Sequence, residues 1–187
     1  MEMAYPAGAR ASSSRYLRVL CTNKPLPFLA RWMARNPALG CHGIVCFYQH
    51  DGRKVFIQMM RLRWSSTPEP LPLQVAINGH FGQIFDPVRM GIDSNIDIQP
   101  GISQPLDVVV KFDGEADCYG WNNESYFSDP PWRNPGWRLP QGKYFVKVVV
   151  TSAGQRCERA FELLNGARPE DFKLEECLPD ATPELTV

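Results

Sequence analysis

The strongest alternation of apolar and polar positions lies near the C-terminus, in "GKYFVKVVVTSAGQRCERAFELLN", residues 142–165. Tyr144, Val146, Val148 and Val150 share one side of an extended chain, with Phe145, Lys147, Val149 and Thr151 on the other. After Ser152, Ala153 and Gly154, a second limb sets Cys157, Arg159, Phe161 and Leu163 against Glu158, Ala160, Glu162 and Leu164. A period of two in β-branched residues, interrupted by a glycine-bearing turn, predicts a hairpin. Another is predicted upstream, where "HGIVCFYQH" and "RKVFIQMMRLRW" flank Asp51-Gly52, a dipeptide that accepts the positive φ of a tight turn.

Further strands follow from the same pattern. "RYLRVLCTN" sets Leu17, Val19 and Cys21 against Tyr16, Arg18 and Leu20, as a half-buried strand does. "PLDVVVKF" from Pro105 and "LQVAI" from Leu73 read as strands, and "GQIFDP" around Ile84 carries a weaker signal. "NIDIQPG" reads as a strand entering a proline-glycine turn. One short helix is expected within 26–35, where Leu26, Leu29 and Met33 share a face before Pro37 stops it. About seven to nine short strands separated by turn signals predict an all-β fold, an antiparallel two-sheet sandwich. A single domain is expected over residues 15–178, between a disordered leader (1–14) and a flexible tail (179–187) that lack periodicity.

"LPQGKYFVKVVV", from Leu139 to Val150, resembles the lead-in to the penultimate strand of immunoglobulin-like and fibronectin-like sandwiches. There a leucine and a glycine turn precede a tyrosine that opens a run of alternating valines. The resemblance implies that Tyr144 is a corner residue whose hydroxyl bonds back to the backbone upstream, with Gly142 as the turn. "RVLCTN" and "NPALGCHGIVCFY" also look like the opening of bacterial sandwich proteins of unassigned activity, with Ala38, Cys41 and Gly43 at the matching positions. Such strand signatures imply a fold and no activity.

Charge and composition narrow the classes. Twenty basic and twenty acidic residues cancel, so no global field draws nucleic acid or an anionic membrane. No apolar run approaches the roughly 18 residues of a membrane-spanning helix, and the N-terminus lacks the apolar segment of a secretory signal. Six cysteines at low density, without an export signal, are expected to be free thiols in a cytoplasmic protein. The sequon at Asn123-Glu124-Ser125 would then be silent.

Candidate chemistry is sparse. Cys41, His42 and Cys46 suggest a metal site, but on a strand Cys41 and Cys46 point to opposite faces, leaving only His42 and Cys46 together. Asp93, Asn95 and Asp97 begin like a calcium loop, yet Ile98 stands where glycine is needed and Gln104 where glutamate is needed. A solvent-washed strand explains the same letters. No serine sits in a Gly-x-Ser-x-Gly elbow, His50 adjoins a turn, and His80 in "NGHFG" is the histidine best placed for presentation on a loop. Asp113, Glu115 and Asp117 are spaced to share one polar face, without the cleft that paired-carboxylate hydrolysis requires.

The aromatics concentrate in "CYGWNNESYFSDPPWRNPGWRLPQGKY", residues 118–144, which holds three of the five tryptophans. Trp, Tyr and Arg dominate binding hot spots, while Asn and Ser supply adaptable hydrogen bonds. The competing account is packing: a long proline-rich connection must be covered, and tryptophans folded back over the sandwich would cover it. Tyr144 and Trp137 are expected to be structural. Tyr119, Trp121, Asn122, Asn123, Tyr126, Trp132 and Arg133 form the candidate binding set, with Trp121 and Trp132 as the exposed rings. The expected function is a binding module for another protein, without cofactor and without catalysis. A carbohydrate-binding module is the alternative, and a hydrolase or metal-binding domain a more distant one.

Overall fold

The structure is a computed structural model that describes residues 13–24, 36–70, 73–77, 80–84 and 95–177. The helix expected over 26–35 lies outside the described residues, as do most of the expected leader and the whole of the expected tail. In chain order the described strands are β1 (Ser14–Thr22), β2 (Ala38–Tyr48), β3 (Met60–Arg61), β4 (Arg63–Trp64), β5 (Leu73–Ile77), β6 (His80–Ile84) and β7 (Ile96–Ile98). They continue with β8 (Ser103–Phe112), β9 (Cys118–Gly120), β10 (Arg138–Leu139), β11 (Gly142–Ser152), β12 (Gln155–Asn165) and β13 (Phe172–Glu176). One sheet has the order β1-β8-β9-β10, with β4 also on β8; the other runs β13-β12-β11-β2-β3, with β7 on β2. The pair β5-β6 forms a separate hairpin. Every pairing is antiparallel, so the all-β two-sheet sandwich expected from the pattern is the fold observed.

The β11-β12 hairpin lies where the alternation places it. Tyr144, Val146 and Val148 join Phe161 and Leu163 in the core between the sheets, facing Leu106, Val108, Val109 and Leu139 of the other sheet. Ser152 opposes Gln155, and the two residues between them, Ala153 (φ 42°) and Gly154 (φ 83°), both take positive φ. That geometry follows the right-handed twist of the flanking strands.

The hairpin expected at Asp51-Gly52 forms its turn, but its second limb is interrupted. Gln49 N–H donates to Arg53 O at 2.8 Å, and Tyr48 opposes Lys54. Val45, however, opposes Met60, so the chain between loops outward and leaves Ile57 97% exposed. After β3, Leu62 N–H still donates to Gly43 O on β2, but Arg63 and Trp64 already pair with Asp107 and Leu106 of the opposite sheet. This limb therefore crosses from one sheet to the other. Trp64 is fully buried at the crossing, its Nε1 donating to Cys41 O at 2.9 Å.

A β-bulge in β8 decides which residues face the loop described below. Leu17 of β1 opposes Val109 while Arg18 opposes Asp107, which leaves Val108 as an extra residue. Val108 and Val109 both enter the core, and the alternation beyond them is inverted. Val110 and Phe112 consequently face outward, and Lys111 faces inward between the sheets. The Lys111 ammonium donates to Asn165 Oδ1 (2.8 Å), Gly166 O (2.6 Å) and Ala116 O (3.2 Å). Asn165, fully buried, donates from Nδ2 to Ala116 O, Leu139 O and Pro140 O. Tyr144 Oη donates to that same Pro140 carbonyl at 2.9 Å, the upstream backbone bond expected of a corner tyrosine.

Candidate functional site

Residues 121–137 leave the end of β9 and return to the start of β10. The outward face of the first sheet gives them a floor, because the bulge has turned Val110 and Phe112 to that side. Trp121 packs on these two residues, with Tyr16, Tyr119 and Tyr126 around it. Its ring lies edge-on to Tyr16 at 5.3 Å and tilted against Tyr126 at 5.2 Å between centroids. The expected exposure of Trp121 is therefore overturned: it is 3% exposed, the centre of a second small core. Burial raises the phenol pKa of Tyr16, Tyr119 and Tyr126 above the ordinary tyrosine value.

The asparagines are local staples. Asn122 Oδ1 accepts from Ser125 N–H at 3.2 Å, and Ser125 Oγ accepts from Asn122 N–H at 3.3 Å, closing a capping box on the 3₁₀ turn Asn123–Phe127. Asn123 Oδ1 accepts from Arg63 Nη1 at 3.0 Å. Arg63 is itself buried, donates to Thr67 and Pro68 O, and places its guanidinium 5.6 Å from the Tyr126 ring centroid. Both asparagines and Ser125 are buried, so they offer a ligand no accessible donor or acceptor of the kind expected. Asn134 caps the next turn, Pro135–Trp137, by accepting from Gly136 N–H at 2.9 Å. Trp137 is buried as expected, edge-on to Phe56 at 5.1 Å, with Nε1 donating to Glu124 at 3.2 Å.

Beside this face lies a buried charge, Asp107. Its Oδ1 accepts from Arg18 Nε and from Ser65 Oγ, both at 2.6 Å. Arg133 lays its guanidinium 4.0 Å from the Phe112 ring centroid and pairs with Glu115 at 2.6 Å, fastening the far side of the loop.

Two rings remain exposed at the apex. Phe127 is 50% exposed and Trp132 43%. The apex closes on itself, with Trp132 N–H donating to Ser125 O at 2.8 Å and Arg133 N–H to Pro130 O at 3.1 Å. Trp132 adopts φ 67°, in the left-handed region that a bulky L-residue rarely occupies. Of the seven predicted binding residues, then, Trp132 stands at the surface and Tyr119, Tyr126 and Arg133 lie half-buried at the rim, whereas Trp121, Asn122 and Asn123 are interior. Phe127 was not among the seven. Its cue was a position just before Ser128-Asp129-Pro130, past the last strand that could bury it.

The other candidates come apart. Cys41 lies in the main core and donates to Ala38 O, Cys46 lies on the opposite face with Tyr48 and Phe145, and His42 is exposed, so the divergence read from their spacing is observed. No group of three possible ligands is found among the described residues. Asp97 is exposed on β7 and accepts from Gly40 N–H at 2.8 Å, next to buried Ile98; Asp93 lies outside the described residues. His80 opens strand β6 opposite Ile77, and exposed His50 rests its ring 4.8 Å from that of Phe145. Asp113, Glu115 and Asp117 take separate partners, Ser13, Arg133 and Arg138.

Comparison with protein-family models, with curated proteins and with solved structures gave no match. Among the described residues no helix is long and apolar enough to cross a membrane.

Proposed function

We propose that this protein is a non-catalytic binding module that recognises another protein through the apex of its aromatic loop, with Trp132 as the anchor and Phe127 as the second exposed ring. One observation carries this reading: Trp132 is held at φ 67° with its ring nearly half in solvent. A left-handed L-residue costs about 1–2 kcal/mol, and a ring that exposed returns little of it through packing. A glycine would serve the backbone better, so a tryptophan here fits a role in contact with something else. The base beneath it is rigid, pinned by Trp121, Arg63 and the Arg133–Glu115 pair, as a recognition loop on a sandwich should be.

The immunoglobulin-like character of the sandwich belongs to the same proposal, supported by the Tyr144-to-Pro140 bond at the corner. So does a cytoplasmic setting, supported by six cysteines that stand unpaired and by a sequon whose Asn123 is buried against Arg63.

Trp132→Gly is the deciding variant. Stability should stay level or rise by up to about 1 kcal/mol, because glycine relieves the strained φ. Binding to the partner should weaken by at least about 2 kcal/mol. Partners captured by wild type and not by the variant would be purified and titrated against both. A variant clearly less stable than wild type would make the ring scaffold and defeat the proposal. Failure to find any partner whose titration depends on Trp132 would defeat it too, and Trp132-dependent binding on a glycan array would transfer the site to carbohydrate.

A further inference from the structure

The two sheets are drawn together where Gly43 of β2 meets Leu106 of β8. A Cβ on that glycine would lie 2.7 Å from Leu106 Cδ2, inside van der Waals contact. Sheets packed through two full side chains stand about 10 Å apart, so a glycine in this place brings them closer. The register then carries two thiols to the same opening. In the second sheet Gly43 is opposite Val150 on β11, and Val150 is opposite Cys157 on β12, so all three share one face. In the first sheet Leu106 is opposite Val19 of β1, and Cys21 follows two residues later on the same side. Val19, Cys21 and Val150 all pack against the main core, to which Cys41 of β2 also belongs.

The three thiols differ in access: Cys157 is exposed, Cys21 half-buried and Cys41 buried. Burial raises the Cys21 thiol pKa above its ordinary value, and the charges of Cys157 and then Cys41 raise it further. Such a push is largely screened beyond roughly 10 Å, in agreement with the closeness that the register gives. We propose that Cys157 is a site of oxidation by hydroperoxides, with Cys21 as the thiol that resolves it into a disulfide between the two sheets. The Cys157 thiolate attacks one peroxide oxygen; the O–O bond breaks, a sulfenic acid forms, and water or an alcohol leaves. The Cys21 sulfur then attacks the Cys157 sulfur as the Cys21 proton departs. The S–O bond breaks, and its oxygen takes up that proton and leaves as water. The two thiols lose two electrons and the peroxide gains them. Cys21 is held as a thiol by its surroundings, so the exposed Cys157 is oxidised first. The product ties β1, the edge strand of the first sheet, to β12 of the second.

The site is separate from the aromatic apex, so it is tested without reference to any protein partner. The full chain, reduced and freed of reductant, would be treated with hydrogen peroxide, alkylated in denaturant without reductant, and measured by mass spectrometry. The product should carry two fewer alkyl groups than the six of the reduced chain. Its digest should contain one linked pair, Cys21 with Cys157. Dithiothreitol should restore all six thiols, and the tie between β1 and β12 should raise the melting temperature by about 5 °C or more. Cys21→Ser should stop at the sulfenic acid, which dimedone traps on Cys157. Cys157→Ser should leave Cys21 a free thiol. Serine is close to cysteine in size and neither side chain is fully buried, so both variants keep the fold. A link from Cys157 to Cys41, or to Cys157 of a second molecule, would overturn the proposal. So would six free thiols after peroxide, or an undiminished disulfide yield in either variant.

Discussion

Tyr144 and Asn165 converge on one carbonyl, and what each contributes follows from that. Pro140 O accepts from Tyr144 Oη at 2.9 Å and from Asn165 Nδ2 at 3.0 Å. Removing the tyrosine hydroxyl leaves the carbonyl with its second donor, so Tyr144→Phe should cost only about 0.5–1.5 kcal/mol, the worth of one ordinary hydrogen bond. Asn165 has no such substitute. Its loss would remove the side-chain donor to Leu139 O and leave the buried Lys111 ammonium short of an acceptor. Asn165→Ala should therefore cost about 3–5 kcal/mol. Urea melts of the two variants compare these directly, and an Asn165→Ala loss no larger than that of Tyr144→Phe would contradict the arrangement. The role of Tyr144 was legible because a tyrosine after a glycine turn, leading alternating valines, is a local signal. That of Asn165 was not, because its partners lie on three other segments of the chain.

Among the elements, the aromatic loop shows how a sheet acquires a second core. Simple alternation along "DVVVKF" would place Val108, Val110 and Phe112 together and turn Lys111 outward. The bulge at Val108 instead turns Val110 and Phe112 out as a floor for Trp121 and brings Lys111 in. Nothing in three consecutive valines marks which is the extra one; the register with β1 decides it. The bulge thus buries Trp121, a ring expected at the surface, while Trp137 is buried and Trp132 exposed as expected. A tryptophan beside two asparagines reads as exposed until one knows that the asparagines cap and brace the turn beneath it. The pattern also gives no strand signal at β13, although Phe172 and Leu174 do alternate, because charged neighbours on both sides hide so short a run. If Trp121 is the keystone of this second core, Trp121→Ala should lower stability by about 3–5 kcal/mol, as truncation of a large buried ring does. Iodide quenching should then rise in the variant, as the remaining tryptophans of the loosened loop meet solvent. A loss below about 1 kcal/mol would mean that the loop does not depend on this ring.

For the molecule as a whole, the distribution of its thiols and phenols links folding to alkaline pH. Cys118 lies on the inner side of β9, fully buried, and burial pushes its thiol pKa from 9.0 up to about 12, despite the opposing pull of the Lys111 charge. Burial likewise raises the phenols of Tyr16, Tyr126 and Tyr144. An acid whose pKa is higher in the folded chain stays protonated there while the unfolded chain ionises. Its contribution to stability is therefore complete below the unfolded value, and is lost progressively as pH rises from there toward the folded one. For Cys118 that window runs from about 9 to about 12. Between about pH 8 and about pH 10.5 the thiol alone should remove about 2 kcal/mol of stability, from about 1.4 kcal/mol for each pH unit spent above the unfolded pKa. Cys118→Ala lacks this group while keeping the tyrosines, so the contributions of Tyr16 and Tyr126 cancel when the two proteins are compared. Only Tyr144, whose phenol burial and then the Cys118 charge push up, differs. At the lower pH wild type should be the more stable, by the packing of one sulfur atom. As pH rises its advantage should shrink by that amount and can change sign. Denaturant midpoints of both proteins across this range measure it. A gap that stays constant would show that the thiol ionises as easily in the folded chain as in the unfolded one, and that this end of the core is open to water.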